Sequence, residues 1–149
     1  MSVALDSGAL IALERNDRVM WTALKLAALR NEDVLVPSAA LAQVWRGRAS
    51  QARLAAALEY CVIASFDDVA KAVGELCGQA RMADICDAQV AIVASGASVL
   101  YTSDPGDLRR LIAAYGRKMP QIVSLLAALG RRGAARRGFA CRLAQLVAV

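Results

Sequence analysis

Residues 83–108, ADICDAQVAIVASGASVLYTSDPGDL, decide the fold of this chain. Their pattern predicts an apolar helix from about Ala83 to Ser95, then a buried strand over Ser98–Thr102, then a helix that begins at Asp104–Pro105. A helix that is followed by a short buried strand and a further helix is typical of a parallel α/β sheet with helices on its faces.

Carboxylates interrupt this otherwise apolar stretch at Asp84, Asp87, Asp104 and Asp107. Asp84 and Asp87 are three residues apart, so they share one face of the predicted helix and repel each other. A carboxylate that leaves water without a partner costs several kcal/mol or takes up a proton, and a divalent cation would remove that conflict. Asp104 follows the end of a strand, where open α/β sheets place their ligand sites.

The composition excludes several kinds of chemistry. The chain has 149 residues, of which 58% are hydrophobic, and this fits one domain with a substantial core. It has no histidine, which excludes His-based triads, His general acid–base catalysis and the usual His-containing zinc sites. The four cysteines show no close pairing and are predicted to be reduced, buried thiols of a cytoplasmic protein.

Neither a secretory signal nor a membrane span is predicted from the sequence. Asp6 and Glu14 interrupt the apolar character of the first residues, which argues against a signal peptide. The longest uncharged run, Ala88–Ser103, is too short to cross a bilayer.

Charge is distributed unevenly along the chain. Residues 1–116 hold 11 Lys/Arg and all 13 Asp/Glu, a net charge of −2, whereas residues 117–149 hold seven basic residues and no acid. We predict one domain over residues 1–126 and a basic tail over 127–149 that is loose or ends in a short helix. The tail is either a polyanion-binding segment or a solubilising end.

Strands alternate with helices along the rest of the chain. Apolar runs predict strands at Val3–Leu5, Val34–Val36, Cys61–Ala64 and Ile122–Leu125. Helices are predicted to begin at the caps Asp6 or Ser7, Asp17, Ser38, Ser50, and Asp67 or Asp68, the last of them ending at Cys77 before Gly78. This alternation predicts an α/β fold with a mostly parallel five-stranded sheet.

The acids also have plain structural explanations. Asp6 and Asp104 can cap helices, and Asp84 and Asp107 can stabilise the first turn of a helix. Asp87 lies further into an apolar helix and is harder to explain in this way. If the strands that end at Asp6 and Asp104 are neighbours, the acids converge on one edge of the sheet, which capping alone does not predict. No GxGxxG or GxxxxGK[ST] loop follows the first strand, which argues against the common nucleotide-binding sites.

Four segments, taken in order, resemble the motifs of the PIN-domain family. They are VALDSGALIALER (3–15), VPSAALAQVWRG (36–47), DICDAQVAIVA (84–94) and VLYTSDPGDLRRL (99–111). The resemblance covers about residues 2–125 and is strongest to VapC-like toxins and related actinobacterial-type PIN proteins. It implies a three-layer α/β/α fold, often a homodimer, and a Mg²⁺- or Mn²⁺-dependent ribonuclease that an antitoxin protein holds in check.

The resemblance also assigns roles to residues. It implies that Asp6, Asp87 and Asp104 are catalytic metal ligands. Asp84 and Asp107 stand beside them as further ligands, and Ser7 and Ser103 are polar neighbours that orient these groups. The second motif normally supplies a glutamate, and that position holds Gln43. Candidate contacts to RNA phosphates are Arg46, Arg48 and Arg53, for which a solvated helix face is the alternative.

Two other functions stay open at this stage. Gln43 brings no charge, so the chain could be a PIN-like protein with an impaired site that acts by binding RNA or protein. It could also be an α/β interaction module whose acids are all helix caps.

Overall fold

The computed structural model of the chain describes residues 1–125, so the predicted tail over 127–149 lies outside the described residues. The strands are β1 (Ser2–Leu5), β2 (Asp33–Pro37), β3 (Val62–Ala64), β4 (Val99–Thr102) and β5 (Gln121–Ser124). The helices are α1 (Ser7–Glu14), α2 (Arg18–Leu29), α3 (Ser38–Val44), α4 (Ala52–Leu58), α5 (Ala70–Ala80), α6 (Ile85–Ala94) and α7 (Pro105–Tyr115), and a 3₁₀ turn at Ala49–Gln51 precedes α4.

The five strands form one sheet in the order β3-β2-β1-β4-β5, and every neighbouring pair is parallel. β1 lies at the centre, where Val3 pairs with Val34 of β2 and Val99 of β4. The predicted α/β fold is confirmed, and the sheet is entirely parallel. Because β1 and β4 are adjacent and run in the same direction, the residues that follow them meet at one edge of the sheet.

Helices cover both faces of the sheet and give two hydrophobic cores. The core under α1, α2 and α4 includes the fully buried Leu10, Met20 and Leu54. The core under α5, α6 and α7 includes Leu76 and Ile112. A parallel sheet that is buried on both faces needs apolar side chains in both directions, which explains the uninterrupted apolar run of β1. The architecture is therefore a three-layer α/β/α arrangement.

Aspartate caps were predicted correctly at three helix starts. The carboxylates of Asp6, Asp17 and Asp104 accept hydrogen bonds from backbone N–H groups in the first turns of α1, α2 and α7. Asp84 caps α6, so that helix begins at Ile85, later than the predicted Ala83. These caps satisfy N–H groups that the helix itself leaves without acceptors.

The predicted boundaries of α5 were wrong at both ends. The residue before α5 is Val69, and no side chain caps the helix, so neither Asp67 nor Asp68 has that role. The helix continues through Gly78 to Ala80 and ends where Arg81 adopts a left-handed conformation with φ of 53°. A glycine inside a helix costs only about 1 kcal/mol relative to alanine, which the burial of an apolar helix face offsets.

Ser38 and Ser50 were also assigned wrong roles. Ser38 is the first residue of α3, and Pro37 precedes the helix without a capping side chain. The Ser38 hydroxyl instead accepts a hydrogen bond of 3.3 Å from Gln89 Nε2 of α6. Ser50 lies in the 3₁₀ turn, so the helix predicted to begin there begins at Ala52.

No helix within residues 1–125 has both the length and the apolar character that a membrane crossing requires.

Candidate metal centre

Asp6 lies at the centre of the site and is almost fully buried, with 6% of its surface exposed. Its Oδ1 accepts a hydrogen bond of 2.7 Å from Ala9 N–H in α1, and its Oδ2 accepts one of 3.0 Å from Ser103 N–H after β4. Burial raises the pKa of Asp6, although these hydrogen bonds and one from the Thr102 hydroxyl act in the opposite direction. The carboxylate therefore joins β1, α1 and the end of β4.

Thr102 connects two of the predicted acids and was missed as a site residue in the sequence. It is fully buried at the last position of β4, and its hydroxyl donates to the Asp6 carboxylate. The same hydroxyl oxygen accepts a hydrogen bond of 2.9 Å from Asp104 N–H. The signal in the sequence was a single polar residue at the end of the apolar run VLYT.

Asp87 is the acid whose pKa is raised by all four of the other acids. It lies half-buried in the first turn of α6, where Asp84 Oδ1 accepts hydrogen bonds from the backbone N–H groups of Cys86 and Asp87. Burial is the largest cause that raises the pKa of Asp87, followed by the charges of Asp84, Asp104, Asp6 and Asp107, and together they bring it to about 6. The structure thus brings all the predicted acids within electrostatic range of one carboxylate.

We call these five acids the carboxylate cluster (Asp6, Asp84, Asp87, Asp104 and Asp107). Asp104 is exposed and caps α7 by accepting from Gly106 N–H at 3.3 Å. Asp107 makes a long ion pair of 3.5 Å with Arg110, and an exposed pair of this kind compensates little charge. The cluster therefore keeps most of its negative charge.

The donors of the cluster are carboxylate oxygens, the kind of ligand that Mg²⁺ and Mn²⁺ take. Within residues 1–125, no three His, Cys, Asp or Glu side chains are close enough together to hold a metal ion by themselves. Mg²⁺ commonly binds through one or two carboxylates and keeps several of its waters, so it does not need such a group. A hard divalent cation prefers such oxygen ligands. Its positive charge would also relieve the repulsion among the carboxylates.

Gln89 fixes α6, and with it Asp87, against the neighbouring elements. Its side chain is fully buried. Its Oε1 accepts from Ala39 N–H of α3 at 2.9 Å, and its Nε2 donates to the Ala64 carbonyl at the end of β3 at 3.1 Å. Sequence reasoning missed this role, and the signal was an amide inside the apolar helix segment DAQVAIVA.

The supporting role predicted for Gln43 stays a prediction. Its side chain is exposed and lines a cavity of about 270 Å³ together with Glu14, Arg46 and Arg48, and no cluster aspartate lines that cavity. The three arginines predicted to contact RNA lie at two different cavities. Arg46 and Arg48 line the cavity described above, and Arg53 lines another. The Arg46 guanidinium donates to the carbonyls of residues 42, 43 and 45 and so closes the end of α3.

The two predicted orienting serines differ in their contribution. Ser103 is half-buried and holds Asp6 through its backbone N–H, as described above, while its side chain lies against Gly8. Ser7 is half-buried as the first residue of α1, next to Asp6 in the chain. The role of its hydroxyl stays a prediction.

Gly8→Ala is expected to destabilise the protein by about 1–3 kcal/mol. A Cβ on Gly8 would overlap both the Oγ and the Cβ of Ser103, so rotating the Ser103 hydroxyl away does not make room. The measurement is chemical denaturation of both proteins. Gly74→Ala is the matched control, because nothing lies within 4 Å of the added Cβ and this position is inside α5. It is expected to be neutral or stabilising, and equal effects of both substitutions would contradict close packing at Gly8.

Comparisons with known proteins identify no family for this chain. No protein-family model matches it, and a search of curated proteins gives no significant match.

Proposed function

We propose that this protein is a Mg²⁺- or Mn²⁺-dependent endoribonuclease of the PIN type that hydrolyses phosphodiester bonds in RNA. The observation that supports it best is the convergence of five aspartates from three segments of the chain at the edge where β1 and β4 end, where four of them raise the pKa of Asp87. Helix capping explains Asp6, Asp84 and Asp104. It does not explain Asp87, because no hydrogen-bond donor within residues 1–125 reaches its carboxylate.

The residues of the cluster have distinct roles in this proposal. Asp6, Asp87 and Asp104 would surround a hydrated cation, with one or two of them bound to it directly and the others through its waters. Asp84 and Asp107 would add negative charge beside it. A bound divalent cation supplies charge compensation for the scissile phosphate and lowers the pKa of a water molecule. Thr102 and the Ser103 N–H hold Asp6 in one orientation, and Gln89 holds the helix that carries Asp87.

The biological setting follows from the resemblance of the motifs. It favours the toxin of a toxin–antitoxin pair, which acts on RNA in the cytoplasm, forms a homodimer and is bound by an antitoxin protein. Identification of a short antitoxin-like reading frame next to the gene would support this setting.

The proposed activity is tested with the purified full-length chain and a labelled single-stranded RNA. We expect cleavage in Mg²⁺ or Mn²⁺, no cleavage in excess EDTA, and recovery when Mg²⁺ is restored. Cleavage that persists in EDTA would contradict the metal-dependent mechanism. Cleavage that stays absent in both metals would favour the second candidate, a PIN-like protein that binds RNA or protein without cutting it.

Gln43→Glu tests that second candidate directly. Because the Gln43 side chain is exposed and lines a cavity without cluster aspartates, we expect the added charge to be largely screened from the site. The dissociation constant for Mn²⁺, measured by isothermal titration calorimetry, is expected to change by less than about threefold. A tenfold or larger tightening of Mn²⁺ binding would instead mean that the native glutamine impairs the metal site.

A further inference from the structure

Two neighbouring cavities flank the turn between α1 and α2. The first, of about 270 Å³, is lined by Arg15 and Gln43, and the second, of about 480 Å³, is lined by Asn16, the residue that follows Arg15. The segment that leads into α4 also borders both cavities, because Arg48, before the 3₁₀ turn, lines the first and Arg53, in α4, lines the second. The two cavities therefore lie next to each other along α1, α2 and α4.

Basic side chains are the common feature of both linings. We call five of them the basic strip, which consists of Arg15, Arg18, Lys25, Arg48 and Arg53. Arg46 also lines the first cavity but is left out, because its guanidinium donates to backbone carbonyls at the end of α3. All five are exposed, and none forms an ion pair with a carboxylate in residues 1–125. Residues 126–149 contain no Asp or Glu, so their side chains cannot neutralise the strip. Repulsion among these cations favours an anionic ligand.

The acids closest to the strip in the chain are occupied by local contacts. Glu14 Oε2 accepts a hydrogen bond of 3.2 Å from the buried side chain of Gln51. Asp17 Oδ1 accepts from the backbone N–H groups of Val19 and Met20 and caps α2. Both carboxylates contribute to the fold but keep their negative charge. The five cations of the strip outnumber these two acids, so positive charge is in excess.

Trp21 adds an aromatic ring to the second cavity. The ring is half-buried, and its indole N–H donates to the Leu13 carbonyl at 3.1 Å, which fixes its position. A positively charged groove with a fixed aromatic side chain is the arrangement by which proteins bind single-stranded nucleic acid, since phosphates meet cations and a base stacks on the ring.

We propose that the basic strip binds the phosphate backbone of single-stranded RNA outside the cleavage site. This proposal rests on the proposed ribonuclease function and adds the surface that holds the substrate. Gln43 lines the first cavity from α3, and α3 also contacts α6, the helix that carries Asp87. The first cavity is therefore lined in part by α3, the helix that touches α6, and no cluster aspartate lines either cavity. The carboxylate cluster itself repels phosphates until a cation is bound.

The test measures RNA binding in EDTA, where metal-dependent cleavage is absent. A fluorescently labelled single-stranded RNA is titrated with the full-length chain, and anisotropy gives the affinity at several salt concentrations. For the double variant Arg18→Gln/Arg53→Gln we expect at least about fivefold weaker binding and a salt slope smaller by about 1.4, since each lost phosphate contact removes about 0.7. The matched control is Arg109→Gln/Lys118→Gln, two exposed cations on and after α7, which should change the affinity less than about twofold.

A second readout follows Trp21 itself. The chain has two tryptophans, so Trp45→Phe leaves Trp21 as the only indole. Single-stranded RNA is expected to quench its fluorescence as a base stacks on the ring, and Arg18→Gln/Arg53→Gln should weaken this quenching in parallel with the affinity.

The possible outcomes separate the strip from the ribonuclease proposal. Equal affinities of the strip and control variants would overturn the strip, even if wild-type protein cleaves RNA in an EDTA-sensitive manner. Selective loss of affinity in the strip variant would support the strip, even if wild-type protein cleaves nothing. Competition by double-stranded DNA as effective as that by single-stranded RNA would overturn specific binding of single-stranded RNA.

Discussion

Asp87→Asn is expected to lower Mg²⁺-dependent RNA cleavage by at least about 100-fold and, at the same time, to stabilise the metal-free protein at pH 7.5. The substitution removes a proposed metal ligand and also removes the charge that burial and four neighbouring aspartates disfavour. After allowance for solvent screening at a half-buried position, we expect a gain of about 1 kcal/mol, or about 4 °C in melting temperature. A substitution that merely disrupts the fold would instead lower both the rate of RNA cleavage and the free energy of unfolding.

The pH dependence of this gain follows from the pKa. The ordinary pKa of an aspartate is 3.8, and in the folded protein that of Asp87 is raised to about 6. Between these values the folded protein binds more protons than the unfolded chain, so the Asp87 contribution to the free energy of unfolding falls as the pH rises. The stabilisation by Asp87→Asn is therefore expected in full at pH 7.5 and to be nearly absent at pH 4.

The control for this prediction is Asp68→Asn, which removes an exposed carboxylate outside the cluster. It should leave cleavage unchanged and shift the melting temperature little at either pH. The interpretation of Asp87 is wrong if Asp87→Asn retains cleavage or loses stability at pH 7.5.

Asp6→Ala is expected to cost about 3 kcal/mol of folding stability in addition to abolishing cleavage. The truncation leaves the N–H groups of Ala9 and Ser103 and the hydroxyl of Thr102 without their shared acceptor in a buried site. Denaturation by urea measures the loss. Asp17→Ala, which removes a cap from the more accessible start of α2, is the matched control and should cost about 1 kcal/mol.

Asp6→Asn separates the two roles of this residue. The amide oxygen can still accept one of the buried hydrogen bonds, so we expect a smaller loss of stability than in Asp6→Ala. Cleavage should nevertheless fall by at least about 100-fold, because the negative charge is gone. If Asp6→Asn cleaves RNA normally, Asp6 is a structural cap and not a metal ligand.

The sequence predicted the elements of the fold better than the contacts between them. The apolar patterns of residues 83–108 and the aspartate caps place α6, β4 and α7 to within two residues, because those signals are local. Asp6 and Asp104 converge only if β1 and β4 are neighbours. The sequence did not predict this adjacency, which the structure shows. Strand order is set by long-range pairing, and no local pattern in the sequence specifies it.

The parts that sequence reasoning missed are tertiary contacts of polar side chains. Gln89 and Thr102 appear in the sequence as single polar residues in apolar runs, and only the fold shows that they join α6 to α3 and Asp6 to Asp104. Gln43 was grouped with the acids from the resemblance, and this role stays a prediction. The homodimer and the antitoxin stay predictions.

The central claim is that aspartates from distant segments of the chain form one site for a divalent cation. The most direct measurement is anomalous diffraction from crystals of the full-length protein grown with Mn²⁺. We predict one manganese peak among the carboxylates of Asp6, Asp87 and Asp104, which disappears in crystals of Asp87→Asn. Well-ordered density for these side chains with no manganese between them, at a Mn²⁺ concentration that supports cleavage, would contradict the account.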